Sequence, residues 1–546
     1  MDMKKKVLPI GNDDFAELRS NNCYYVDKSL MIRDFIEMED KVALIARPRR
    51  FGKTLNMSMM RAFFDITMDS AALFEGLAIM RTEYASRMNS CPVIYLTFKD
   101  CKADNAADLF LLIKNELYQE YLRYEKLLRG TWGADSYEEK DFYVMMERLR
   151  DLSSPAMSVV SALQALTQAV RDHYQIAPIL LIDEYDQPIM SSYEYGYHEA
   201  VSTFFSSFFG SAMKGNASLG QALLTGVQRV AKESIFSQFN NPQVYTVADS
   251  QYAEFFGLNE EETRTLLEYY GLSLDEPVKQ MYDGYCIGGH HMYNPWSIIN
   301  YAKKKRLDNY WVKTSANFLV KAALKEADRN FWKTFDELAE GKEKEVFITL
   351  DTSFAERASL YSLWGLLVNA GYLTITEWRS AETSVVKIPN GEVLSEFQTL
   401  ISEIAGMDSM DLCRMFDALL KKDMEEFFEI YKNIVISCTS YMDAKENAYH
   451  MLFLGMCITL KGLYRVTSNL EMGYGRSDIR LEAASPGYPH VIIEFKQGNN
   501  LEQLKIEALK QILDNKYYIG LKGEVICIGL AHDKKRCRME YCVIQV

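Results

Sequence analysis

At 546 residues the chain is too long for one hydrophobic core, so about two to four domains are expected. Its 48% hydrophobic and 12% aromatic content predicts folded domains without disordered tracts, and its net charge of −14 argues against strong unspecific adhesion to DNA, because Lys and Arg supply that affinity. No run of about 18 uncharged apolar residues and no cleavable N-terminal hydrophobic segment occurs, which predicts a soluble, cytoplasmic protein with no membrane partner.

Zinc is not expected from the cysteine and histidine pattern. The ten cysteines are scattered without a Cys-x-x-Cys pair, which is typical of reduced core residues. The doublet His290-His291 follows Gly288-Gly289 and is more typical of a solvated turn than of a ligand pair. The basic run 303–306 is read as a solvated helix end, with part of a local basic groove as the alternative.

The N-terminal part of the sequence alternates short apolar runs with helical periodicity. Val42 to Ala46 is an apolar run that ends at an Arg- and Gly-containing loop, and Thr54 to Phe64 then shows helical spacing of apolar side chains. Further strands are predicted at 93–98, 179–182 and 222–226, and further helices at 107–128 and 159–174. Strands and helices alternating at these lengths predict a parallel sheet covered on both faces.

A phosphate-binding loop is predicted where the first strand meets the first helix. In a P-loop, backbone N–H groups and the helix N-terminus surround the phosphates, Lys reaches the β and γ oxygens, and Ser or Thr binds Mg²⁺. Gly52, Lys53 and Thr54 supply the end of this pattern, whereas Arg47 stands where the strict motif has its first glycine. Nucleotide contacts are predicted for Arg47, Arg49, Arg50, Phe51, Gly52, Lys53 and Thr54.

Two later strand ends are predicted to complete the nucleotide site. Leu180 to Ile182 leads into Asp183, which would hold Mg²⁺ together with Thr54, and into Glu184, which would polarise the attacking water as a catalytic group. Thr225 ends another strand, where a polar side chain could sense the γ-phosphate. Arg229 is read either as a charge-stabilising nucleotide contact or as part of a surface salt bridge.

Beyond about residue 258 the sequence changes to helices with short connections. Helices are predicted at 260–270, 296–305 and 359–371, the last ending at a glycine suited to a C-cap. The expected domains are 1–258, 259–400 and 401–546, with boundaries soft by about ten residues.

The C-terminal region is predicted to mix helices and strands. Helices are expected at 409–421, 423–437, 446–462 and 501–513, and strands at 464–471, 478–483, 490–496 and 524–530. The turn Ser485-Pro486-Gly487 predicts an antiparallel hairpin between the second and third of these strands.

A cluster of two carboxylates and a lysine is predicted on this hairpin. Residues two apart on a strand point the same way, so Glu494 and Lys496 share a face, and the hairpin would bring Asp478 alongside Glu494. Asp478 and Glu494 would bind Mg²⁺ or Mn²⁺, and Lys496 would orient the attacking water and offset charge in the transition state. Glu446 and Gln511 are expected to support this site, Glu446 as a further ligand or hydrogen-bond partner and Gln511 as a substrate contact or a group that positions Lys496. A cross-strand ion pair is the alternative for Glu494 and Lys496.

These residues together resemble bacterial AAA-ATPase-like proteins with a C-terminal PD-(D/E)XK nuclease domain. The resemblance covers nearly the whole chain, and its carriers are Tyr25-Val26-Asp27-Lys28, residues 47–54, Ile182-Asp183-Glu184-Tyr185-Asp186, Thr225-Gly226, Phe256-Gly257-Leu258, Tyr282-Asp283-Gly284-Tyr285, Tyr293-Asn294-Pro295-Trp296, Gly371-Tyr372-Leu373, Ile388-Pro389-Asn390, Gly475-Arg476-Ser477-Asp478 and Glu494-Phe495-Lys496. The family's own P-loop is similar to the sequence of residues 47–54, which accounts for the arginine in place of a glycine.

The resemblance implies an α/β multidomain protein with a P-loop ATPase domain, a helical lid with a winged-helix-like part, and a restriction-endonuclease-like domain. The expectation is an ATP-binding and ATP-hydrolysing switch that controls a Mg²⁺-dependent nuclease acting on DNA rather than RNA. The alternatives are an ATP-dependent regulatory or interaction protein whose nuclease-like domain does not cleave, and a scaffold with ancestral motifs. Arg49 and Arg50 are read either as phosphate contacts within the chain or as groups serving a neighbouring subunit of a homo-oligomer.

Overall fold

The computed structural model describes residues 5–132, 136–230, 242–311, 318–339, 341–352, 360–404, 406–437, 446–460, 463–485 and 487–546. The chain divides into two compact units, one made of residues 1–323 and 345–390 and the other of residues 324–344 and 391–546. The three predicted domains and their boundaries stay a prediction.

The first unit begins with alternating helices and strands. Its elements as far as residue 245 are α1 Phe15–Ser20, α2 Leu30–Met38, β1 Val42–Ala46, α3 Lys53–Phe64, α4 Ala71–Phe74, β2 Val93–Thr97, α5 Ala106–Leu128, α6 Tyr137–Arg150, α7 Ala162–Tyr174, β3 Ile179–Asp183, α8 Gln187–Glu194, α9 His198–Met213, β4 Ala222–Gly226, β5 Arg229–Val230 and β6 Gln243–Tyr245. The predicted strands and helices of this part are confirmed, with ends shifted by a few residues.

A five-stranded parallel sheet forms the centre of this unit. The strand order is β2-β3-β4-β1-β6, and β1, β3 and β4 are buried at every residue, as expected for parallel strands covered on both faces. Helices α5, α7 and α9 contribute buried apolar residues to a shared core with the sheet. Because β4 lies between β1 and β3, the carboxyl ends of these three strands lie side by side at one edge.

The elements that follow are α10 Glu260–Tyr269, α11 Glu276–Tyr282, β7 Tyr285–Ile287, β8 His290–Met292, α12 Pro295–Lys304, α13 Phe318–Lys325, α14 Arg329–Ala339, β9 Lys344–Phe347, β10 Asp351–Thr352, α15 Leu360–Asn369, β11 Thr374–Trp378 and β12 Thr383–Lys387. The expectation of helices with short connections missed two small sheets, the β7–β8 hairpin and the three-stranded order β11-β12-β9. These strands have three to five residues, too few to show a clear period of two.

The second unit continues with α16 Gly391–Ile404, α17 Ser409–Lys421, α18 Met424–Ser437, α19 Glu446–Met456, β13 Tyr464–Met472, β14 Gly475–Ala483, β15 His490–Gln497, α20 Leu501–Asp514, β16 Glu524–Asp533 and β17 Arg536–Gln545. Its sheet has the order β13-β14-β15-β16-β17, in which only the β15–β16 pair is parallel. Helix α20 makes the connection between these parallel strands and packs on them. The predicted hairpin of β14 and β15 is confirmed, whereas the long helix predicted for 446–462 ends at Met456 and gives way to a 3₁₀ turn.

Among the helices of the described residues, none combines the length and the apolar character that a membrane crossing requires.

Candidate functional site

The loop between β1 and α3 is shaped by two residues in left-handed backbone conformations. Arg50 has φ of 67° and Gly52, which directly precedes the helix, has φ of 88°. Glycine adopts this conformation without the steric cost that a Cβ adds. The turn aims the N-terminus of the twelve-residue helix α3, with its unpaired backbone N–H groups, toward the sheet edge.

Lys53 reaches back over this loop. Its Nζ lies 3.3 Å from the carbonyl oxygen of Arg47, 3.4 Å from that of Pro48, and 3.5 Å from Oε1 of Glu184, and the residue is 4% exposed. A buried ammonium held by two carbonyls and one carboxylate is placed to meet an anion entering the loop.

Asp183, the last residue of β3, is hydrogen-bonded by side chains from α3 and β4. Thr54 donates its hydroxyl to Oδ2 of Asp183 at 2.8 Å, and Thr225 donates to Oδ1 at 2.6 Å. Burial and the charge of Glu184 raise the pKa of Asp183 to about 6, against the opposing effect of the two hydroxyls. The structure thus brings together Thr54, Asp183 and Thr225 as the sequence predicts.

Glu184 lies at the end of β3 in a left-handed conformation, with φ of 54°. Its side chain is 21% exposed and faces the Lys53 ammonium. A non-glycine residue in this conformation is uncommon and typical of sites where a side chain is aimed for function. The carboxylate is therefore accessible to solvent beside the buried lysine.

Asp186 holds two loop segments of the site together, and the sequence alone suggested no role for it. Its Oδ2 accepts the backbone N–H groups of Val227 at 2.9 Å and Gln228 at 2.8 Å, and burial raises its pKa to about 6. The hydroxyl of Tyr185 donates to the carbonyl of Gln228 at 2.6 Å. These bonds fix the segment after β4 to the segment after β3. The only sequence signal was the position of Asp186 in the run Ile182 to Asp186.

Arg47 has a structural role that differs from the predicted nucleotide contact. Its guanidinium is fully buried and donates to the carbonyls of Ala46, Tyr245, Thr246 and Gln251 at 2.7–3.1 Å. Burial lowers its pKa to about 10. The side chain therefore ties β6 and the turn after it to β1, and only its main-chain carbonyl faces Lys53.

Of the other predicted loop residues, Phe51 is a buried apolar anchor, and Arg49 and Arg50 are cations. Phe51 is fully buried with its ring edge-on to Tyr285 at 5.0 Å between centroids. The Arg50 guanidinium lies 4.1 Å from the ring centroid of Trp296, and burial lowers its pKa. Arg49 accepts hydrogen bonds at its carbonyl from the side chains of Asn294 and Trp311, and the residue lines a pocket together with Lys102 and Glu194. The side chain of Arg229 lies outside the described residues.

An apolar cavity of about 80 Å³ lies beside the first turn of α3. Gly52, Leu55 and Asn56 form one wall, and Asn56 donates to the carbonyl of Phe255 at 2.8 Å. Other lining residues come from the N-terminal segment and from the helices beyond residue 258, and they include Leu8, Pro9, Tyr24, Tyr25, Leu258, Leu266, Pro295 and Ile299.

Asp478 and Glu494 meet on the β14–β15 hairpin of the second unit. The register pairs Ile479 with Ile493, which makes Asp478 and Glu494 neighbours across the two strands. Oε2 of Glu494 accepts the backbone N–H of Asp478 at 3.3 Å, and Oδ2 of Asp478 accepts the backbone N–H of Phe495 at 2.8 Å. Each carboxylate is thus oriented by the main chain of the opposite strand.

Glu494 is 2% exposed and accepts a hydrogen bond from Nε2 of Gln511 on α20. Burial and the charge of Asp478 raise the pKa of Glu494 to about 8, although Lys496 lies 3.5 Å from it. Gln511 is held in turn by the hydroxyl of Tyr517 at 3.2 Å. The predicted role of Gln511, a substrate contact or the positioning of Lys496, stays a prediction, and its amide contacts Glu494.

His450 contacts the main chain at Asp478, and no role was predicted for it from the sequence. Its Nε2 is 3.1 Å from the carbonyl oxygen of Asp478, and burial lowers its pKa to about 4, which keeps the ring neutral. It lies on α19, one turn after Glu446, whose side chain is outside the described residues. The helical spacing of four between the two residues was the signal that could have identified it.

The residues at both sites fit hard cations such as Mg²⁺ and Mn²⁺, because all the candidate ligands are oxygen atoms. The chain's described residues contain no group of three or more His, Cys, Asp and Glu side chains arranged to hold a metal ion. Two adjacent carboxylates, one of which resists ionisation, nevertheless form a site that a cation would stabilise, because the positive charge relieves their mutual repulsion.

Two family models match this chain. Residues 9–236 match the family described as predicted AAA-ATPase, and residues 444–541 match the PD-(D/E)XK nuclease superfamily. A protein of Azotobacter chroococcum mcd 1, described as an uncharacterized protein in the vnfD 5'region, is 27% identical over 328 residues, which cover 58% of this chain and 56% of that protein. The matches confirm an AAA-ATPase-like domain and a PD-(D/E)XK nuclease superfamily domain in one chain.

Proposed function

We propose that this chain, which carries an AAA-ATPase-like domain and a PD-(D/E)XK nuclease superfamily domain, binds and hydrolyses ATP with Mg²⁺ and uses the nucleotide to control metal-dependent cleavage of DNA. The observation that carries the proposal is the presence of two separately assembled sites, one around Lys53 and Asp183 and one around Asp478 and Glu494.

The nucleotide phosphates are proposed to lie between the N-terminus of α3 and Lys53. Lys53 would exchange its two weak carbonyl contacts at 3.3 and 3.4 Å for phosphate oxygens, which are stronger acceptors. The apolar cavity beside Gly52, Leu55 and Asn56 is proposed to take the base, because apolar lining close to the phosphate loop suits a flat aromatic ring. The Mg²⁺ ion, held by Thr54 and Asp183, would supply charge neutralisation at the phosphates.

Glu184 is proposed to orient and deprotonate the attacking water. Its carboxylate is the accessible acidic group beside Lys53, which suits a general base that must reach both solvent and the terminal phosphate. Thr225 is proposed to report the state of the terminal phosphate through Asp183, because it hydrogen-bonds that carboxylate directly.

Phosphate release from ATP, with and without Mg²⁺, tests the ATPase half of the proposal. Lys53→Ala is expected to weaken ATP binding, and Glu184→Gln is expected to retain binding while turnover falls by about 10²- to 10⁴-fold. Lys126→Ala, which changes an exposed lysine on α5, serves as the matched control. Wild-type turnover in Glu184→Gln would remove Glu184 from the chemistry.

For the nuclease half, Lys496 is proposed to position the water that attacks the phosphodiester. Its ammonium lies beside Glu494 on the face that also carries Asp478, where it can offset the charge that develops on the phosphate. Asp478 and Glu494 are proposed as the ligands of Mg²⁺ or Mn²⁺, whose chemistry is activation of water and of the scissile phosphate.

Cleavage of a labelled DNA in Mg²⁺ or Mn²⁺ tests this half separately. Lys496→Ala is expected to reduce the rate by about 10²- to 10³-fold, as for loss of one transition-state donor. Lys421→Ala, an exposed lysine on α17, is the matched control. Equal cleavage by wild type and Lys496→Ala would assign the activity to a contaminant or to another site.

A second candidate is a regulatory ATPase whose nuclease-like domain binds nucleic acid or a protein without cutting. The net charge of −14 favours it, because it opposes tight general binding to DNA. ATP turnover that depends on Lys53, together with no metal-dependent cleavage of any DNA, would favour this candidate over the first.

A further inference from the structure

The turn between β13 and β14 presents an exposed aromatic side chain. Tyr474 is 76% exposed at the tip of this hairpin, only four residues before Asp478. An isolated exposed tyrosine is common on protein surfaces and by itself indicates nothing. The way in which this turn is anchored distinguishes it.

The turn is held rigidly against the end of α20. The backbone N–H of Tyr474 donates to the carbonyl of Asn515 at 2.9 Å. Gly473 has φ of 60°, and a Cβ at this position would lie 2.0 Å from the same carbonyl oxygen. On the other side, a Cβ on Gly475 would lie 3.0 Å from the hydroxyl of Tyr517. The two glycines therefore allow the hairpin to pack closely while the aromatic ring between them stays in solvent.

The same segment also orients Glu494, one of the two predicted carboxylate ligands of the metal. Asn515 donates to the hydroxyl of Tyr517 at 2.9 Å, and Gln511 contacts both that hydroxyl and Glu494. The exposed ring and the carboxylate pair are thus connected through one short set of hydrogen bonds within one unit. Their relative position is fixed by the fold rather than by a loose loop.

A lysine lies near the Tyr474 ring. Nζ of Lys516 lies 5.9 Å from the ring centroid of Tyr474. Arg476 and Asp478 are two residues apart on β14 and so project from the same face of the sheet. An exposed aromatic ring with a cation beside it is a combination that single-stranded nucleic acids recognise, through base stacking and phosphate contacts.

We propose that Tyr474 is a stacking platform for an unpaired base of single-stranded DNA that enters the nuclease site, with Lys516 contacting the adjacent phosphate. This inference rests on the proposed function and specifies its substrate class. Strands rise about 3.3 Å per residue, so the backbone positions of Tyr474 and Asp478 are at most about 13 Å apart. That span corresponds to about four nucleotides stacked at roughly 3.4 Å each.

Binding of a fluorescent single-stranded oligothymidylate, measured by anisotropy with Ca²⁺ in place of Mg²⁺, tests the inference without requiring cleavage. Tyr474→Ala is expected to weaken binding by about 5- to 150-fold, the cost reported for losing one base–aromatic stack. Tyr474→Phe, which retains the ring, is expected to bind like wild type. Lys516→Ala is expected to lower the dependence of log affinity on log salt by about 0.7.

Two controls make the result specific. Tyr137→Ala removes an equally exposed tyrosine, 83% exposed, from the other unit and is expected to change nothing. A blunt duplex of the same length should bind Tyr474→Ala and wild type alike, because its bases are already stacked. An oligouridylate strand distinguishes RNA from DNA, and preferential loss of RNA binding in Tyr474→Ala would overturn the assignment to DNA.

The outcomes separate this inference from the proposed nuclease activity. If wild type binds the strand without cutting it in Mg²⁺, and Tyr474→Ala loses binding whereas Tyr474→Phe and Tyr137→Ala keep it, the stacking role of Tyr474 is supported and the nuclease activity is contradicted. If wild type cuts the strand and Tyr474→Ala binds and cuts equally well, the platform is overturned and the nuclease stands. Absence of any single-strand binding by wild type would overturn the platform outright.

Discussion

The two candidate sites hold a buried carboxylate in different ways. Asp183 has a hydroxyl donor on each oxygen, from Thr54 and Thr225, and its pKa is raised only to about 6. Glu494 faces a second carboxylate, that of Asp478, and its pKa is raised to about 8. Glu494 therefore releases its proton at a higher pH than Asp183 does.

This difference predicts how each site takes a cation. At the nucleotide site a metal ion must displace the Thr54–Asp183 hydrogen bond but releases few protons. At the carboxylate pair a metal ion must displace the proton of Glu494, so binding is coupled to pH. Asp183 has a neutral hydroxyl donor on each oxygen that opposes the effect of the Glu184 charge, whereas Glu494 and Asp478 face each other across two strands and repel each other when both are ionised.

The largest effect is expected when one carboxylate of the Asp478–Glu494 pair is replaced. Asp478→Asn is expected to reduce Mn²⁺ affinity at this site by about 100-fold or more, measured by calorimetry. It also removes the repulsion with Glu494, so the melting temperature of the metal-free protein should rise rather than fall. A variant with wild-type Mn²⁺ affinity and an unchanged melting temperature would show that the two carboxylates do not act together.

At the nucleotide site the corresponding change is Lys53→Ala. Loss of one charged hydrogen-bond donor costs about 1.5–3 kcal/mol, so the Kd for ATP should rise by about 10- to 150-fold. Fluorescent-nucleotide titration measures this effect, with Lys126→Ala as the unaffected control. Unaltered affinity in Lys53→Ala would place the nucleotide elsewhere.

The pH dependence of Mn²⁺ binding gives a further test of the difference between the two sites. Below about pH 8 the folded protein carries a proton on Glu494, so Mn²⁺ affinity should rise about tenfold per pH unit from pH 6 to pH 8 and then level off. Without metal, the free energy of unfolding has the opposite pH dependence. The raised pKa of Glu494 contributes stability that is fully present below pH 4.5 and is lost as the pH rises through about 8. Calorimetry with Glu494→Gln is the control, since its residual Mn²⁺ binding should lose this slope. A flat profile in wild type would contradict the assignment.

The smallest expected effect concerns the donors of Asp183. Thr225→Val leaves Oδ1 of Asp183 without its donor, which should cost about 1–3 kcal/mol and raise the pKa of Asp183 further. A differential scan should show a melting temperature lower by a few degrees. Thr203→Val, on the exposed side of α9, is the matched control. Equal melting of both variants would indicate that the hydroxyl is not needed to satisfy Asp183.

Much of this architecture was predictable from local sequence patterns. The continuous apolar runs of β1, β3 and β4 identify buried parallel strands, and the two-residue spacing of Glu494 and Lys496 places them on one face. The hairpin turn near residue 486 then predicts that Asp478 lies beside Glu494, which the register confirms. These features depend on periodicity and on turns, which are local.

Features that depend on distant packing were not predictable. Arg47 looks like a phosphate ligand in the motif, but its partners are carbonyls about 200 residues away, so only the tertiary fold reveals its structural role. His450 and Asp186 contact backbone groups of distant segments, and their sequence signals, the helical spacing from Glu446 and the place in the run 182–186, do not reveal these partners. The short strands β9, β11 and β12 are stabilised by pairing in three dimensions rather than by their own periodicity.

Nicking of supercoiled plasmid by the whole protein, with and without ATP in Mg²⁺ or Mn²⁺, tests the central claim most directly. Wild type, Lys53→Ala and Lys496→Ala are compared side by side. We expect nicking that is lost in Lys496→Ala, and an effect of ATP on its rate that is present in wild type and missing in Lys53→Ala. ATP turnover without nicking under any of these conditions would contradict an ATP-controlled nuclease.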